Sequence, residues 1–153
     1  MGASGWEYRV PFTGSVEATL AATQERVLAS GDYLWPWEDY PGDPDAEVRR
    51  PATLAELAAA KQEEEFWDEG THSILDIERV RADGDADDFG TIQPLVPAEL
   101  REVFGTERPT LADFQRGRAR LDDLPGEPWT GRAVTIHEHG APTQAFFFGC
   151  SGD

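Results

Sequence analysis

The chain of 153 residues contains a single cysteine, Cys150, and a single lysine, Lys61. One cysteine cannot form an intramolecular disulfide, which is typical of a protein in a reducing compartment. No apolar run reaches the ~20 residues that a membrane-spanning helix requires. The N-terminus also lacks a basic segment followed by an apolar one, so it does not resemble a signal peptide. The sequence therefore predicts a cytoplasmic protein that does not associate with membranes.

Phosphate-binding loops are also missing, since neither the G-x-G-x-x-G pattern nor the Walker pattern occurs. Basic residues are scarce: the chain has 13 basic and 30 acidic residues, and its net charge is −17. A negative field of this size repels the phosphate backbone, which argues against direct binding to nucleic acid. It suits a basic protein partner, a cationic small molecule or a mimic of nucleic acid, although acidity also serves solubility alone.

Hydrophobic periodicity and turn residues predict both strands and helices. Strands are predicted at residues 6–12, 72–80, 132–139 and 143–150. Helices are predicted from residue 16 to 30, from 53 to about 67, from 97 to 104, and from 111 to 116 or 120. Ser15 is the expected N-cap of the first helix, and Gly31 is its expected stop.

This order predicts a single α+β domain over residues 1–153. We expect a small, mostly antiparallel sheet of about four strands, helices packed on one face, and a C-terminal β-hairpin. Residues 32–52 are predicted to be an irregular loop rich in proline, acids and aromatic rings. Side chains alternate along a strand, so the three residues Phe146 to Phe148 cannot all face the same way.

Aromatic and acidic residues in this loop, and at the end of the second predicted helix, indicate a binding surface. Trp and Tyr are enriched where proteins anchor on each other, and neighbouring acids would attract a basic partner. The loop could equally fold back as a lid on the core, or line a pocket for an aromatic or cationic small molecule. The candidate partner-binding residues are Tyr33, Trp35, Trp37, Glu38, Asp39, Trp67 and Asp68.

His72, Asp76 and Glu78 alternate along the predicted strand 72–80 and would share one face of it. A histidine beside two carboxylates suits general acid–base catalysis or a metal site. The alternative is an ordinary polar face at the end of a strand.

His137 and His139 also share a face of their predicted strand, as imidazoles that bind one metal must. Their spacing from Gly131 and Gln144 is similar to the first metal motif of the cupins. Gln144 stands where that motif has a carboxylate, however, and the chain lacks the many strands of a jelly roll. The two histidines are therefore weak metal candidates, and no cofactor is predicted.

Three segments, Trp6–Phe12, Glu69–Ile77 and Trp129–Arg132, resemble those of an uncharacterised family of small acidic proteins from high-GC actinobacteria. The resemblance spans most of the chain and includes no catalytic motif. It implies a compact intracellular domain and brings no known activity.

These patterns favour a non-enzymatic interaction domain that binds a basic partner, such as an immunity protein, an antitoxin or a regulatory adaptor. The alternative is a small-molecule-binding protein or a small enzyme of secondary metabolism with an aromatic-lined pocket. In an enzyme, His72 with Asp76 or Glu78 would perform the acid–base chemistry.

Overall fold

A computed structural model describes residues 3–38 and 49–152. The strands are β1 (Ser4–Pro11), β2 (Arg79–Val80), β3 (Thr91–Pro94), β4 (Thr130–Glu138) and β5 (Ala141–Ser151). The helices are α1 (Val16–Ser30), α2 (Leu54–Ala60), α3 (Phe66–Glu69), α4 (Pro97–Phe104) and α5 (Leu111–Gly117), with 3₁₀ turns at Ile74–Asp76 and Arg118–Asp123.

The strands form one sheet in the order β1-β5-β4-β3-β2. β5 is antiparallel to both β1 and β4, whereas β3 is parallel to β4 and β2. The predicted α+β class and the C-terminal hairpin are confirmed. The sheet has five strands rather than about four and is partly parallel, because β3, which the sequence pattern did not reveal, joins β2 to the hairpin.

Helix α1 forms where the capping signals predict it. Ser15 Oγ accepts a hydrogen bond from the Ala18 amide at 3.0 Å, and Gly31 ends the helix with a φ of 70°. Glycine adopts this left-handed conformation without the steric cost of a side chain. The predicted bounds of this helix are confirmed.

Helices cover both faces of the sheet, so the prediction of helices on one face is wrong. Phe147 belongs to a core that includes Leu20 and Val27 of α1. Phe146 belongs to a second core that includes Phe114 of α5. Adjacent strand residues point to opposite faces, and because both of these phenylalanines are buried, each face requires its own helical cover.

The predicted strand 72–80 is also wrong for most of its length, because residues 74–76 form a 3₁₀ turn and only Arg79–Val80 pair in the sheet. Ser73 Oγ caps the turn by accepting from the Leu75 amide at 3.2 Å. Ile74 and Leu75 are both fully buried and belong to the same core, whereas successive residues of a strand would point to opposite faces of the sheet.

The second predicted helix is interrupted. α2 ends at Ala60, and a tight turn leads into the single helical turn α3. The acids Glu63 to Glu65 lie in this break. In a continuous helix they would have stood near the C-terminus, where the helix dipole disfavours negative charge. Within the described ranges, no helix is long and apolar enough to cross a bilayer.

Candidate functional site

In the described part of the predicted loop 32–52, the aromatic rings lie against the core rather than in solvent. Trp35 is only 4% exposed, and its ring centroid lies 5.0 Å from that of Trp37 and 6.1 Å from that of Phe66. Trp37 and Tyr33 are half-buried beside the same core. Trp35 therefore stabilises the fold, whereas Trp37 and Tyr33 keep part of their rings accessible.

Glu38 pairs with Arg50 through two hydrogen bonds of 2.5 and 2.6 Å. The bonds from Arg50 lower the pKa of the Glu38 carboxyl, and the same guanidinium lies 4.6 Å from the centroid of the Tyr33 ring. The charge of Glu38 is thus neutralised locally. Asp39, predicted to steer a partner beside it, lies outside the described residues.

A different set of rings reaches the surface, and we call Trp67, Phe89 and Trp129 the aromatic surface cluster. The Trp67 centroid lies 4.8 Å from that of Phe89 and 5.3 Å from that of Trp129. Phe89 is 40% exposed, and the two tryptophans are half-buried. Edge-to-face pairs of this kind prefer defined geometries, so the cluster is a fixed surface feature.

The backbone holds this cluster in position. Trp67 Nε1 donates to the Lys61 carbonyl at 3.0 Å. The Trp129 ring lies against Gly70 and Gly152, where any Cβ would overlap it. Both glycines are buried, so only the absence of a side chain permits this close approach.

Exposed carboxylates lie close to each of the three rings along the sequence. We call this set the acidic rim: Glu63, Glu64, Glu65, Asp68, Glu69, Asp87, Asp88 and Glu127. Within the described part of the chain, none of them forms an ion pair with a base. The segments 62–78, 82–90 and 121–131 contain no lysine or arginine. Arg81 and Arg132 line one pocket with Asp88 and Glu127, so the unpaired negative charge of the rim is concentrated beside Trp67, at Glu63, Glu64, Glu65, Asp68 and Glu69.

The three residues proposed for acid–base chemistry do not share a strand face, because the segment turns at 74–76. His72 is half-buried, and its Nδ1 lies 2.9 Å from Ser4 Oγ. Asp76 is fully buried and accepts from the Thr71 amide, the Thr71 hydroxyl and the Ser151 hydroxyl. Burial raises the pKa of Asp76, and its hydrogen bonds stabilise the turn. Glu78 is exposed at the edge of a cleft.

That cleft contains a buried charged group that sequence reasoning overlooked. Lys61 is 6% exposed, and its Nζ donates to the Ile77 carbonyl at 2.8 Å. Gln24 Nε2 donates to the same carbonyl at 2.7 Å and to that of Ile74 at 3.1 Å. The only signal in the sequence was that Lys61 is the sole lysine among 13 basic residues.

The two metal candidates are not brought together with further ligands. Burial lowers the pKa of His137, and its Nδ1 is buried without a partner among the described residues. His139 is exposed at the hairpin turn, with a φ of 52°. Across residues 3–38 and 49–152, no three His, Cys, Asp or Glu side chains are grouped to hold a metal ion.

Comparisons with protein-family models, with curated proteins and with solved structures find no match to this chain.

Proposed function

We propose that this protein is an interaction domain that binds a basic partner protein at the aromatic surface cluster and its acidic rim. One observation carries the proposal: three fixed rings, one of them 40% exposed, are flanked by carboxylates without an ion-pairing base in the described chain. Exposed aromatic carbon in such a surface loses water on binding, and tryptophan is enriched among the residues that dominate interface energy.

The partner should present arginine or lysine to these rings. A guanidinium over the face of a tryptophan gains about 0.5–2 kcal/mol, and carboxylates beside the ring would hold the same group through charge-assisted hydrogen bonds. The net charge of −17 would accelerate the encounter with such a partner and repel acidic competitors. Of the residues predicted from sequence, Trp67 and Asp68 belong to this surface, and Trp37 and Tyr33 lie beside the adjoining core.

The test compares two triple variants of equal charge. Glu63→Gln, Glu64→Gln and Glu65→Gln neutralise part of the acidic rim. Glu25→Gln, Glu102→Gln and Asp32→Asn neutralise exposed acids elsewhere. Each protein is immobilised, and the proteins captured from native lysate at low and high salt are quantified by mass spectrometry.

We expect a basic protein whose capture falls about tenfold with the rim variant at low salt and hardly changes with the control. Phe89→Ala should reduce the same capture about tenfold at either salt concentration, because it removes apolar contact rather than charge. Equal capture by all variants, or equal losses with rim and control variants, would contradict the proposal.

A further inference from the structure

A cleft of about 480 Å³ lies between α1, α2 and the segment after the 3₁₀ turn. Aliphatic side chains form about half of its lining, the buried polar side chains of Gln24 and Lys61 lie among them, and the other polar side chains lie at the rim. The aliphatic lining is Leu20, Ala21, Leu54, Leu57, Ala58, Ile77 and Val80. A cleft of this size and composition suits a small, largely apolar molecule.

Lys61 lies in this lining with an ammonium group that is poorly compensated. Among the described residues, Nζ has one hydrogen-bond acceptor, the Ile77 carbonyl at 2.8 Å. Burial lowers the pKa of Lys61 to about 8, although Asp76 and Glu78 act in the opposite direction. About a tenth of the side chain is then a neutral amine at pH 7, against roughly one part in 2,500 for an ordinary lysine.

The charges around the cleft select against an anionic ligand. Glu17 and Glu78 are exposed at its rim, and Asp76, which is not part of the lining, acts electrostatically on Lys61. Arg79 is also at the rim, but its guanidinium pairs with Asp85. Together with the net charge of −17, these carboxylates disfavour carboxylate and phosphate ligands and leave a neutral molecule as the better fit.

We propose that this cleft binds a small, neutral aldehyde or ketone and that Lys61 Nζ holds it as a reversible imine. This site shares no side chain with the surface assigned to a partner protein, although the Lys61 carbonyl also accepts the hydrogen bond from Trp67 Nε1. A desolvated lysine in an apolar pocket is an activated nucleophile for carbonyl carbon.

The step balances without an oxidant or reductant. The Nζ lone pair forms a bond to the carbonyl carbon, the nitrogen loses one proton, and the carbonyl oxygen takes one up to give a carbinolamine. The hydroxyl then takes up a second proton and leaves as water. The nitrogen loses its last hydrogen to solvent as the carbon–nitrogen double bond forms. The products are the imine and one water molecule, and addition of water reverses the reaction.

Reductive trapping tests the proposal, because the lone lysine gives an unambiguous product. The protein is incubated with isobutyraldehyde and sodium cyanoborohydride at pH 7.4, and alkylation is quantified by peptide mapping, which separates Lys61 from the N-terminal amine. The matched control is Arg49→Lys, which adds a lysine at a position whose side chain is 78% exposed.

We expect Lys61 to be alkylated at least about tenfold faster than Lys introduced at position 49, because its neutral fraction is larger. Its rate should saturate with aldehyde concentration, as binding before reaction requires, whereas the rate at position 49 should rise linearly. A slower or non-saturating reaction at Lys61 would overturn the proposal.

A second variant addresses the route through the cleft without removing the lysine. Ala58 is exposed on α2 and lines the cleft, so Ala58→Phe should narrow it and leave the core intact. We expect at least about fivefold slower alkylation of Lys61 and an unchanged rate at position 49. An unchanged rate at Lys61 would show that the cleft is not the binding site.

Discussion

The two helical layers that cover the sheet place their charges differently. Lys61 and Asp76, the two charged side chains buried within the described chain, both lie in the layer of α1, α2 and the 3₁₀ turn. The layer of α4 and α5 packs a core of aliphatic and aromatic side chains and pairs its arginines near the surface, as in Arg101–Glu107 and Arg116–Asp113. We infer that the second layer mainly supplies stability, whereas the first can respond to ligands and to pH.

The largest expected effect comes from the apolar layer. Phe114→Ala removes a ring that is 4% exposed and lies 4.9 Å from the Phe146 ring, centroid to centroid. We expect the free energy of unfolding to fall by about 4 kcal/mol, because the layer loses apolar burial and gains a cavity. Urea denaturation should give the same loss at about pH 6 and pH 9, since no buried charge is involved. A loss of unfolding free energy that changes strongly with pH would show that the layer of α4 and α5 also contains a buried titrating group.

A smaller loss is expected from the polar layer. Asp76→Ala leaves the Thr71 amide and the Thr71 and Ser151 hydroxyls without their acceptor, which should cost about 3 kcal/mol. Asp76→Asn retains one oxygen acceptor and avoids a buried charge, so we expect a loss of about 1 kcal/mol. Urea denaturation of both variants at neutral pH measures the difference. Equal losses would mean that the side chain acts through packing rather than through its acceptors.

The smallest effect has the opposite sign. The buried Lys61 ammonium is unfavourable, because burial lowers its pKa to about 8. Lys61→Met removes this charge and leaves the Ile77 carbonyl without one donor, so we expect about 1–2 kcal/mol of stabilisation at pH 7. Between about pH 8 and 10.5, Lys61 has lost its proton in the folded wild-type protein but still binds it in the unfolded chain. The free energy of unfolding of the wild-type protein therefore rises with pH relative to that of the variant.

Urea denaturation at about pH 7 and pH 10 measures that difference directly. The advantage of the methionine variant should shrink toward the higher pH. An advantage that is constant with pH would show that Lys61 is not strained by its charge.

The local elements of this fold could be predicted where the signals are local. Ser15 and Gly31 bounded α1, and the alternation of Phe146 and Phe147 indicated that the hairpin presents phenylalanine rings to both faces of the sheet. The 3₁₀ turn at residues 74–76 could not be predicted, because Gln24, far away in the chain, donates to the Ile74 carbonyl within it, and Gln24 and Lys61 donate to the Ile77 carbonyl just after it. Of the aromatic surface cluster, only Trp67 was predicted from the sequence. Phe89 and Trp129 were overlooked because neither lies in an aromatic-rich segment.

The sequence by itself determined the negative field, the capped helices and the alternating hairpin, because each depends on composition or on neighbours within a few residues. Only the tertiary structure decided which rings are buried and which are exposed. Trp35 lies in the loop predicted to bind a partner and Phe89 lies outside every predicted site, yet Trp35 is 4% exposed and Phe89 is 40% exposed. Burial is a property of the surfaces that meet in three dimensions, and the order of residues alone does not specify it.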